Sequence, residues 1–136
     1  MSEQLDSFVE STVVRLIFDR EASELRVEVS CVFGGRKKRS IVARGIDDCL
    51  IEDLGVYNII DRVTVFAPEQ AIEESNECTS TLLYLKQQRE LSASDLAWPA
   101  FKEKLAMIRS GQLQLMTVEA VVGASATVLA KEITFE

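Results

Sequence analysis

The chain of 136 residues is predicted to fold as one α+β domain, residues 1–136, with a mostly antiparallel sheet and helices packed on one face of it. Alternating apolar and polar residues predict strands near both ends of the chain. Apolar residues at helical spacing predict a helix between them, and glycines stand where neighbouring strands would turn. The 47% apolar and 27% charged residues are typical of a globular protein that buries a core.

The N-terminal part predicts three strands. Residues 11–20 (STVVRLIFDR) are rich in β-branched and apolar side chains, which predicts a first strand. Residues 24–33 (ELRVEVSCVF) alternate between polar and apolar side chains, which predicts a second strand with one buried face and one solvent-exposed face. Gly34 and Gly35 then predict a tight turn, because glycine adopts positive φ angles without strain. Residues 39–46 (RSIVARGI) are predicted to return as the third strand.

The faces of this hairpin can be assigned from its pattern. A loop of odd length places Ile41 and Ala43 on the buried face, because a slip of one residue exchanges the two faces of a strand. We therefore expect Val29 opposite Ile41 with a loop of three residues, or Cys31 opposite Ile41 with a loop of five. Either loop puts the basic row, residues 36–39 (RKKR), at or beside the hairpin tip.

The basic row is predicted to be a solvated hairpin end rather than a nucleic-acid contact. The net charge of −7 repels phosphate at long range. No aromatic residues interleave with the row as they do in RNA-binding sheets, and no glycine-rich phosphate loop lies nearby. We therefore expect no nucleic-acid partner.

The middle of the chain predicts shorter elements. Residues 46–55 are interpreted as a turn followed by a short strand, and residues 56–66 as another strand. Pro68 and the acids after it predict a short helix within 68–78. Residues 80–88 (STLLYLKQQ) fit either a strand or a helix, and we favour a strand.

The clearest helix is predicted over residues 94–111. Its apolar residues recur at spacings of three and four, Ser94 is placed as its N-cap and Gly111 follows its C-terminus. The apolar stripe consists of Trp98, Phe101, Leu105 and Ile108. Two final strands, 112–122 and 125–136, are predicted to turn at Gly123.

The residue types present argue against an enzyme. The chain has no histidine, which removes the usual general base and the commonest metal ligand, and with them Ser-His-Asp and Cys-His chemistry. Its three cysteines have no CxxC spacing, so neither a disulfide framework nor a zinc site is expected. We expect no cofactor and no metal. With no N-terminal signal pattern and no apolar run long enough to span a bilayer, we expect a cytoplasmic protein without a membrane partner.

Two acidic segments are the candidate partner-binding residues. The first, IDDCLIEDLGVY, is bracketed by glycines and is predicted to be an exposed turn, with a tyrosine after it as an amphipathic anchor. The second, PEQAIEESNE, would place its acids on one helix face, where like charges repel and a basic partner could relieve them. The predicted residues are Asp47, Asp48, Glu52, Asp53 and Tyr57 in the first segment, and Glu69, Glu73 and Glu77 in the second.

In size, acidity and lack of catalytic motifs, with these two acidic segments, the chain resembles the immunity proteins of bacterial toxin systems. Those are small cytoplasmic proteins that cap a toxin, often a basic nuclease, with carboxylates. The resemblance implies a non-enzymatic protein that binds another, basic protein through its acidic surface. The alternative is a small ligand-binding or enzymatic domain with a pocket between sheet and helix near Trp98, Tyr84 and Tyr57.

Overall fold

The computed structural model describes residues 5–31 and 37–136, and in them six antiparallel strands close into a barrel. The strands are β1 (Thr12–Asp19), β2 (Glu24–Ser30), β3 (Lys38–Glu52), β4 (Ile59–Val65), β5 (Gln114–Val122) and β6 (Ser125–Phe135). Two helices, α1 (Glu77–Gln87) and α2 (Pro99–Arg109), connect β4 to β5. The order around the barrel is β1-β2-β3-β6-β5-β4. The predicted α+β class is confirmed.

The barrel closes where β1 meets β4, and this contact is short. Thr12 pairs with Ile59, and the N–H of Val13 donates to the carbonyl of Asn58 over 2.8 Å. On the N-terminal side, Ser11 accepts a bond from the N–H of Ile60. Every other neighbouring pair of strands is joined by five or more paired residues, so this junction is the least paired one in the barrel.

Apolar side chains form two separate cores. The first fills the barrel interior, and its buried members include Phe8, Leu25, Val27, Val29, Ile41, Ile60, Met116 and Val128. The second lies between the helices and the outer surface of the barrel, and it includes Leu82, Leu85, Phe101, Leu105, Ile108, Leu115 and Leu129. Because side chains fill the interior, as is usual for small barrels, a binding site has to be sought on the outer surface.

The predicted faces of the β2–β3 hairpin are confirmed, and its predicted register is wrong. Leu25, Val27 and Val29 are buried together with Ile41 and Ala43. Val27, not Val29 or Cys31, pairs with Ile41. A shift of two residues keeps every side chain on its face, so the apolar pattern could not distinguish these registers.

The basic row lies partly outside the described residues, which exclude Arg36 and the predicted turn at Gly34 and Gly35. Lys37 and Lys38 are exposed, as expected of a hairpin end. Arg39 is half-buried: its guanidinium lies 4.4 Å from the ring centre of Phe8 and donates a hydrogen bond to Ser7. The side chain of Arg39 is therefore engaged by the N-terminal residues Ser7 and Phe8 rather than extended into solvent.

The third strand is longer than predicted, and the expected turn at residues 46–55 is wrong. The strand β3 continues to Glu52 and pairs with β6 from Ile41 to that residue. Gly45 has a φ of +68° and a bulge follows between Ile46 and Asp48. These two features bend the strand without ending it, so a glycine that suggested a turn lies inside an element.

The favoured strand over residues 80–88 is also wrong, because this segment belongs to α1. Asn76 caps the helix: its side chain accepts the N–H of Thr79, whose hydroxyl accepts the N–H of Asn76, each over 2.9 Å. Cys78, Leu82 and Leu85 are buried at helical spacing. The short apolar run fitted either element, and capping by Asn76 and packing against the barrel favour the helix.

Two helix predictions require correction at their ends. Within residues 68–78 only a 3-10 turn, Pro68–Gln70, is helical before α1 begins at Glu77. The predicted helix over 94–111 is confirmed as α2, but Trp98 is its N-cap residue rather than part of the buried stripe. Ser94 instead precedes a separate 3-10 turn.

The connection between α1 and α2 is organised around Asp95, a buried carboxylate. Arg89 donates to both of its oxygens, over 2.6 and 2.8 Å, and Ser92 donates through its backbone and its hydroxyl. The hydrogen bonds from Arg89 and then Ser92 hold the pKa of Asp95 well below its usual range. This ion pair fixes the end of α1 relative to the start of α2.

Candidate interaction surface

The first acidic segment begins with two carboxylates that face the protein's own helices. Asp47 accepts from Lys104 on α2 over 2.9 Å and from Lys86 on α1 over 3.3 Å. Asp48 lies 3.1 Å from the same ammonium group of Lys86. These four residues form the inner ion-pair cluster, which ties β3 to both helices.

The inner ion-pair cluster changes the protonation of Asp47. Partial burial alone would raise the pKa of this carboxyl, but the hydrogen bonds from Lys104 and Lys86 outweigh it and lower the pKa. Two carboxylates are therefore matched by two ammonium groups. Little of their charge remains to attract a partner, since each is compensated at contact distance.

Glu52 also has a hydrogen-bond partner within the molecule. The hydroxyl of Tyr84, on α1, donates to its Oε2 over 2.8 Å. This hydrogen bond and the negative charge of the carboxylate raise the pKa of Tyr84. Of the four predicted acids in the first segment, only Asp53 is exposed and without a polar partner in the described part of the chain.

The second acidic segment does not form the predicted helical stripe. Glu69 lies in the 3-10 turn, Glu73 in the irregular connection after it, and Glu77 at the first position of α1. All three are exposed, and Glu73 lies 3.7 Å from Lys102 of α2. The acids therefore spread over the surface instead of repelling one another along one helix face.

An open groove of about 310 Å³ lies between α1 and the outer face of β5 and β6. Glu77 and Glu119 lie on its two sides and Tyr84 lies at its wall. Glu119 already accepts from Arg62 over 2.6 Å. The remaining lining groups include the hydroxyls of Ser80, Thr81, Thr117, Ser125 and Thr127.

The loop between β3 and β4 exposes apolar side chains at one end of the barrel. Val56 is 90% exposed, Tyr57 74% and Leu54 64%. Beside them, at the end of β5, Val121 is 63% exposed and Val122 48%. We call these five side chains the apolar end. The predicted site residue Tyr57 belongs to it, whereas Asp47 and Asp48 lie further along β3 against the helices.

Asn58 joins the two parts of the apolar end. Its side chain accepts the N–H of Gly55 over 3.0 Å and of Ala124 over 2.8 Å, and it donates to the carbonyl of Gly55 over 2.8 Å. The residue is buried. The β3–β4 loop is therefore hydrogen-bonded directly to the turn between β5 and β6.

Gly123 permits this close approach. Its φ is +84°, and a Cβ at this position would overlap the carbonyl oxygen of Tyr57 and the side-chain oxygen of Asn58. The turn predicted at Gly123 is confirmed. Its glycine is required both for the backbone angle and for the contact with the neighbouring loop.

Sequence reasoning missed four members of the apolar end and the asparagine that supports it. Val121 and Val122 were assigned to a strand without regard to exposure, although two adjacent valines before a turn glycine cannot both point into a core. Leu54 and Val56 flank Gly55 at the end of an acidic segment. An apolar residue on each side of a loop glycine was the available signal for an exposed apolar loop.

The three aromatic residues of the alternative pocket are separated. Trp98 lines a small cavity of about 130 Å³ with Lys86 and Lys104, Tyr84 lines the groove beside α1, and Tyr57 belongs to the apolar end. They therefore do not enclose a common ligand site.

The described residues, 5–31 and 37–136, lack two further kinds of site. They contain no group of three or more cysteine, aspartate or glutamate side chains placed to hold a metal ion. Within them, neither helix combines the length and apolar character required to cross a membrane.

Comparison with known proteins yields a likeness of fold. No protein-family model matches the chain, and no curated protein matches it. Among solved structures, it is similar to that of an uncharacterized protein from Neisseria gonorrhoeae, with a TM-score of 0.50 and 11% sequence identity. The alignment covers 95% of this chain and 92% of the other. At this identity the likeness shows the fold alone.

Proposed function

We propose that the protein is a non-enzymatic binding module that binds another protein through its apolar end. The single observation that carries this proposal is the exposure of Leu54, Val56, Tyr57, Val121 and Val122 at one end of the barrel, where β5 ends beside the β3–β4 loop. Single exposed apolar residues are common, but several large ones gathered at one end of a domain are typical of an interaction surface.

The composition and support of the apolar end suit this role. Tyrosine is enriched among the residues that dominate binding energy, because it combines a large apolar ring with a polar hydroxyl. The hydrogen bonds of Asn58 hold the loop in one conformation before a partner arrives. A preorganised surface loses less conformational entropy on binding.

The charge of the molecule favours a basic partner. The net charge is −7, and Asp53 stands exposed next to Leu54 at the edge of the apolar end. Such charges steer a basic protein toward the surface and raise its association rate. This combination agrees with the resemblance to immunity proteins of bacterial toxin systems, so a toxin domain is the specific partner we propose.

The proposal is tested by crosslinking in the native host. A photo-crosslinking amino acid replaces Val56, and a matched variant carries it at Glu103, an exposed position of α2 remote from the apolar end. We expect one defined protein to be crosslinked from position 56 and not from position 103. Equal crosslinking from both positions, or none from position 56, would contradict the proposal.

The captured protein then allows a quantitative test. We expect Tyr57→Ala to weaken its binding by about tenfold or more, whereas Gln112→Ala, which removes an exposed uncharged side chain just before β5, at the opposite end of that strand from Val122, leaves it unchanged. Asp53→Lys should slow association at low salt and less at high salt. Equal losses from Tyr57→Ala and Gln112→Ala would show that the apolar end is not the binding surface.

A further inference from the structure

The strand β1 has a free edge. It pairs with β2 along its whole length, but on its other side the last backbone contact is that of Val13 with Asn58. From Arg15 to Asp19 no strand of the described residues lies on that side. The β3–β4 loop, residues 54–56, faces Arg15 and Leu16 there across an open cleft of about 310 Å³. An unpaired strand edge presents rows of N–H and C=O groups that readily pair with another strand.

The side chains along this edge are apolar and exposed. Phe18 is 57% exposed although it lies opposite Leu25, which is buried in the barrel core. Ile17 on the other face of the strand is 39% exposed. Proteins commonly protect a free edge with lysine, proline or a covering element, and β1 contains neither residue. The edge therefore has the character of an interface.

We propose that β1 pairs with β1 of a second copy of this chain, antiparallel, about a two-fold axis at Ile17. In this register Arg15 lies opposite Asp19 of the second copy, and Asp19 opposite its Arg15. The two-fold axis thus produces two equivalent ion pairs from one sequence. Leu16 lies opposite Phe18 of the second copy, which covers both exposed apolar side chains.

The facing of the side chains agrees with this register. Arg15, Ile17 and Asp19 point to the same outer face, because they pair with Glu28, Arg26 and Glu24 of β2. Residues directly opposite each other in an antiparallel pair are close enough to interact. Arg15 is largely exposed and keeps only a 3.5 Å contact with Glu28, so its guanidinium is free to meet a second carboxylate.

Charge complementarity selects the second copy over an unrelated strand. Arg15 and Asp19 are the only charged residues of β1, and they are equidistant from Ile17. A two-fold axis in an antiparallel pair passes between two copies of the same residue, so the neighbouring choices are Leu16 and Phe18. An axis at Leu16 would place Arg15 opposite Ile17, and an axis at Phe18 would place Asp19 opposite Ile17. Only the axis at Ile17 pairs opposite charges within the strand.

The test measures self-association by analytical ultracentrifugation from low to high micromolar protein. We expect the unmodified protein to form dimers. Arg15→Asp and Asp19→Arg should each raise the dimer dissociation constant by about tenfold or more, because each places like charges opposite one another twice. An equimolar mixture of the two variants should associate again, because the heterodimer restores both ion pairs.

The controls carry the same charge changes on α2, away from β1. Lys102→Asp also breaks one exposed ion pair, that with Glu73, and Glu103→Arg also reverses an exposed acid. Neither should change the dimer dissociation constant. Circular dichroism of every variant confirms that the barrel is folded before its association is compared.

A second measurement fixes the axis. Ile17→Cys should form a disulfide-linked dimer under mild oxidation, because opposed residues of an antiparallel pair have Cα atoms about 4.5 or 5.5 Å apart, within disulfide range. Val121→Cys, at an exposed apolar position near the end of β5, should not form a disulfide-linked dimer. A protein that stays monomeric at all concentrations overturns the proposal and leaves the edge to a strand of a different protein. If the charge reversals leave the dimer dissociation constant unchanged, the interface lies elsewhere and the proposal is overturned. The same follows if Ile17→Cys dimers form no disulfide under mild oxidation.

Discussion

The two halves of the acidic segment 46–57 face opposite surroundings. Asp47 and Asp48 lie on β3 beneath the helices and are held by Lys86 and Lys104 over 2.9 to 3.3 Å. A few residues later, Val56 and Tyr57 extend from the loop with most of their surface in water. The half with Asp47 and Asp48 contributes to the stability of the fold, and the half with Val56 and Tyr57 is exposed to solvent. We call them the inner half and the displayed half.

The difference shows that the charged or apolar character of a residue does not by itself predict whether its side chain is free to bind a partner. The acids suggested an exposed binding site, yet Asp47 and Asp48 are paired with lysines and Glu52 accepts a hydrogen bond from Tyr84. Apolar side chains are usually buried, yet those of Val56 and Tyr57 are exposed. The element on which each half lies decides the outcome, because a strand beneath a helical layer has internal partners and a loop at the barrel end does not.

The largest expected effect comes from Gly123, which supports the displayed half. Gly123→Ala should lower the free energy of unfolding by about 3 kcal/mol or more, because it adds strain at positive φ and a collision with the loop. Gly111→Ala is the matched control, since its φ is +82° but nothing lies within 4 Å of its Cβ position. It should cost only about 1 kcal/mol. Equal losses in urea denaturation would refute the close approach.

Asn58→Ala should cost about 2 to 3 kcal/mol, because it leaves the buried N–H of Ala124 and the carbonyl of Gly55 without their partner. Hydrogen exchange of the loop amides, residues 53–58, should accelerate as well. Asn76→Ala removes another structural asparagine, the cap of α1, at a cost of about 1 kcal/mol. It should leave exchange in the loop unchanged. An unchanged loop in Asn58→Ala would mean that the asparagine does not hold it.

Asp47→Asn tests the inner half and should cost about 1 kcal/mol after allowance for partial exposure of the ion pairs. The hydrogen bonds from Lys104 and Lys86 lower the pKa of Asp47 in the folded state below its ordinary value. Its contribution is therefore complete above that value and is lost as pH falls through the folded pKa. The stability difference between the natural protein and Asp47→Asn should shrink on acidification. Asp53→Asn, at an exposed acid, should leave the free energy of unfolding at neutral pH within about 0.5 kcal/mol of that of the natural protein.

The smallest expected stability effect belongs to the displayed half itself. Tyr57→Ala should change the free energy of unfolding by less than about 0.5 kcal/mol, because its side chain is mostly in water already. Thermal unfolding followed by circular dichroism measures this directly. A large loss would show that Tyr57 packs into the fold and is not displayed.

Much of the fold could be predicted because local patterns determine it. The alternation around Val27 identified the buried face of the first hairpin, and the spacing of Phe101, Leu105 and Ile108 identified α2. The register could not be predicted, since a shift of two residues preserves the pattern. Closure of the barrel depends on contacts between distant segments, such as Thr12 with Ile59, which no local pattern encodes.

The candidate site was predicted less well for a related reason. Tyr57 was identified from its position after a glycine, and its exposure agrees with that prediction. The surroundings of Asp47 depend on Lys86 and Lys104, which are 39 and 57 residues away along the chain. The position of Val121 beside the loop likewise depends on strand pairing. Which side chains meet across such distances follows from the tertiary fold.

The affinity of the crosslinked partner for two variants tests the central claim most directly. We expect Tyr57→Ala to bind it at least about tenfold more weakly while its stability is unchanged. Asp47→Asn should lose stability and bind with the affinity of the natural protein, measured where both are fully folded. The reverse result, in which Asp47→Asn loses affinity and Tyr57→Ala does not, would contradict the assignment of stability to the inner ion-pair cluster and of binding to the apolar end.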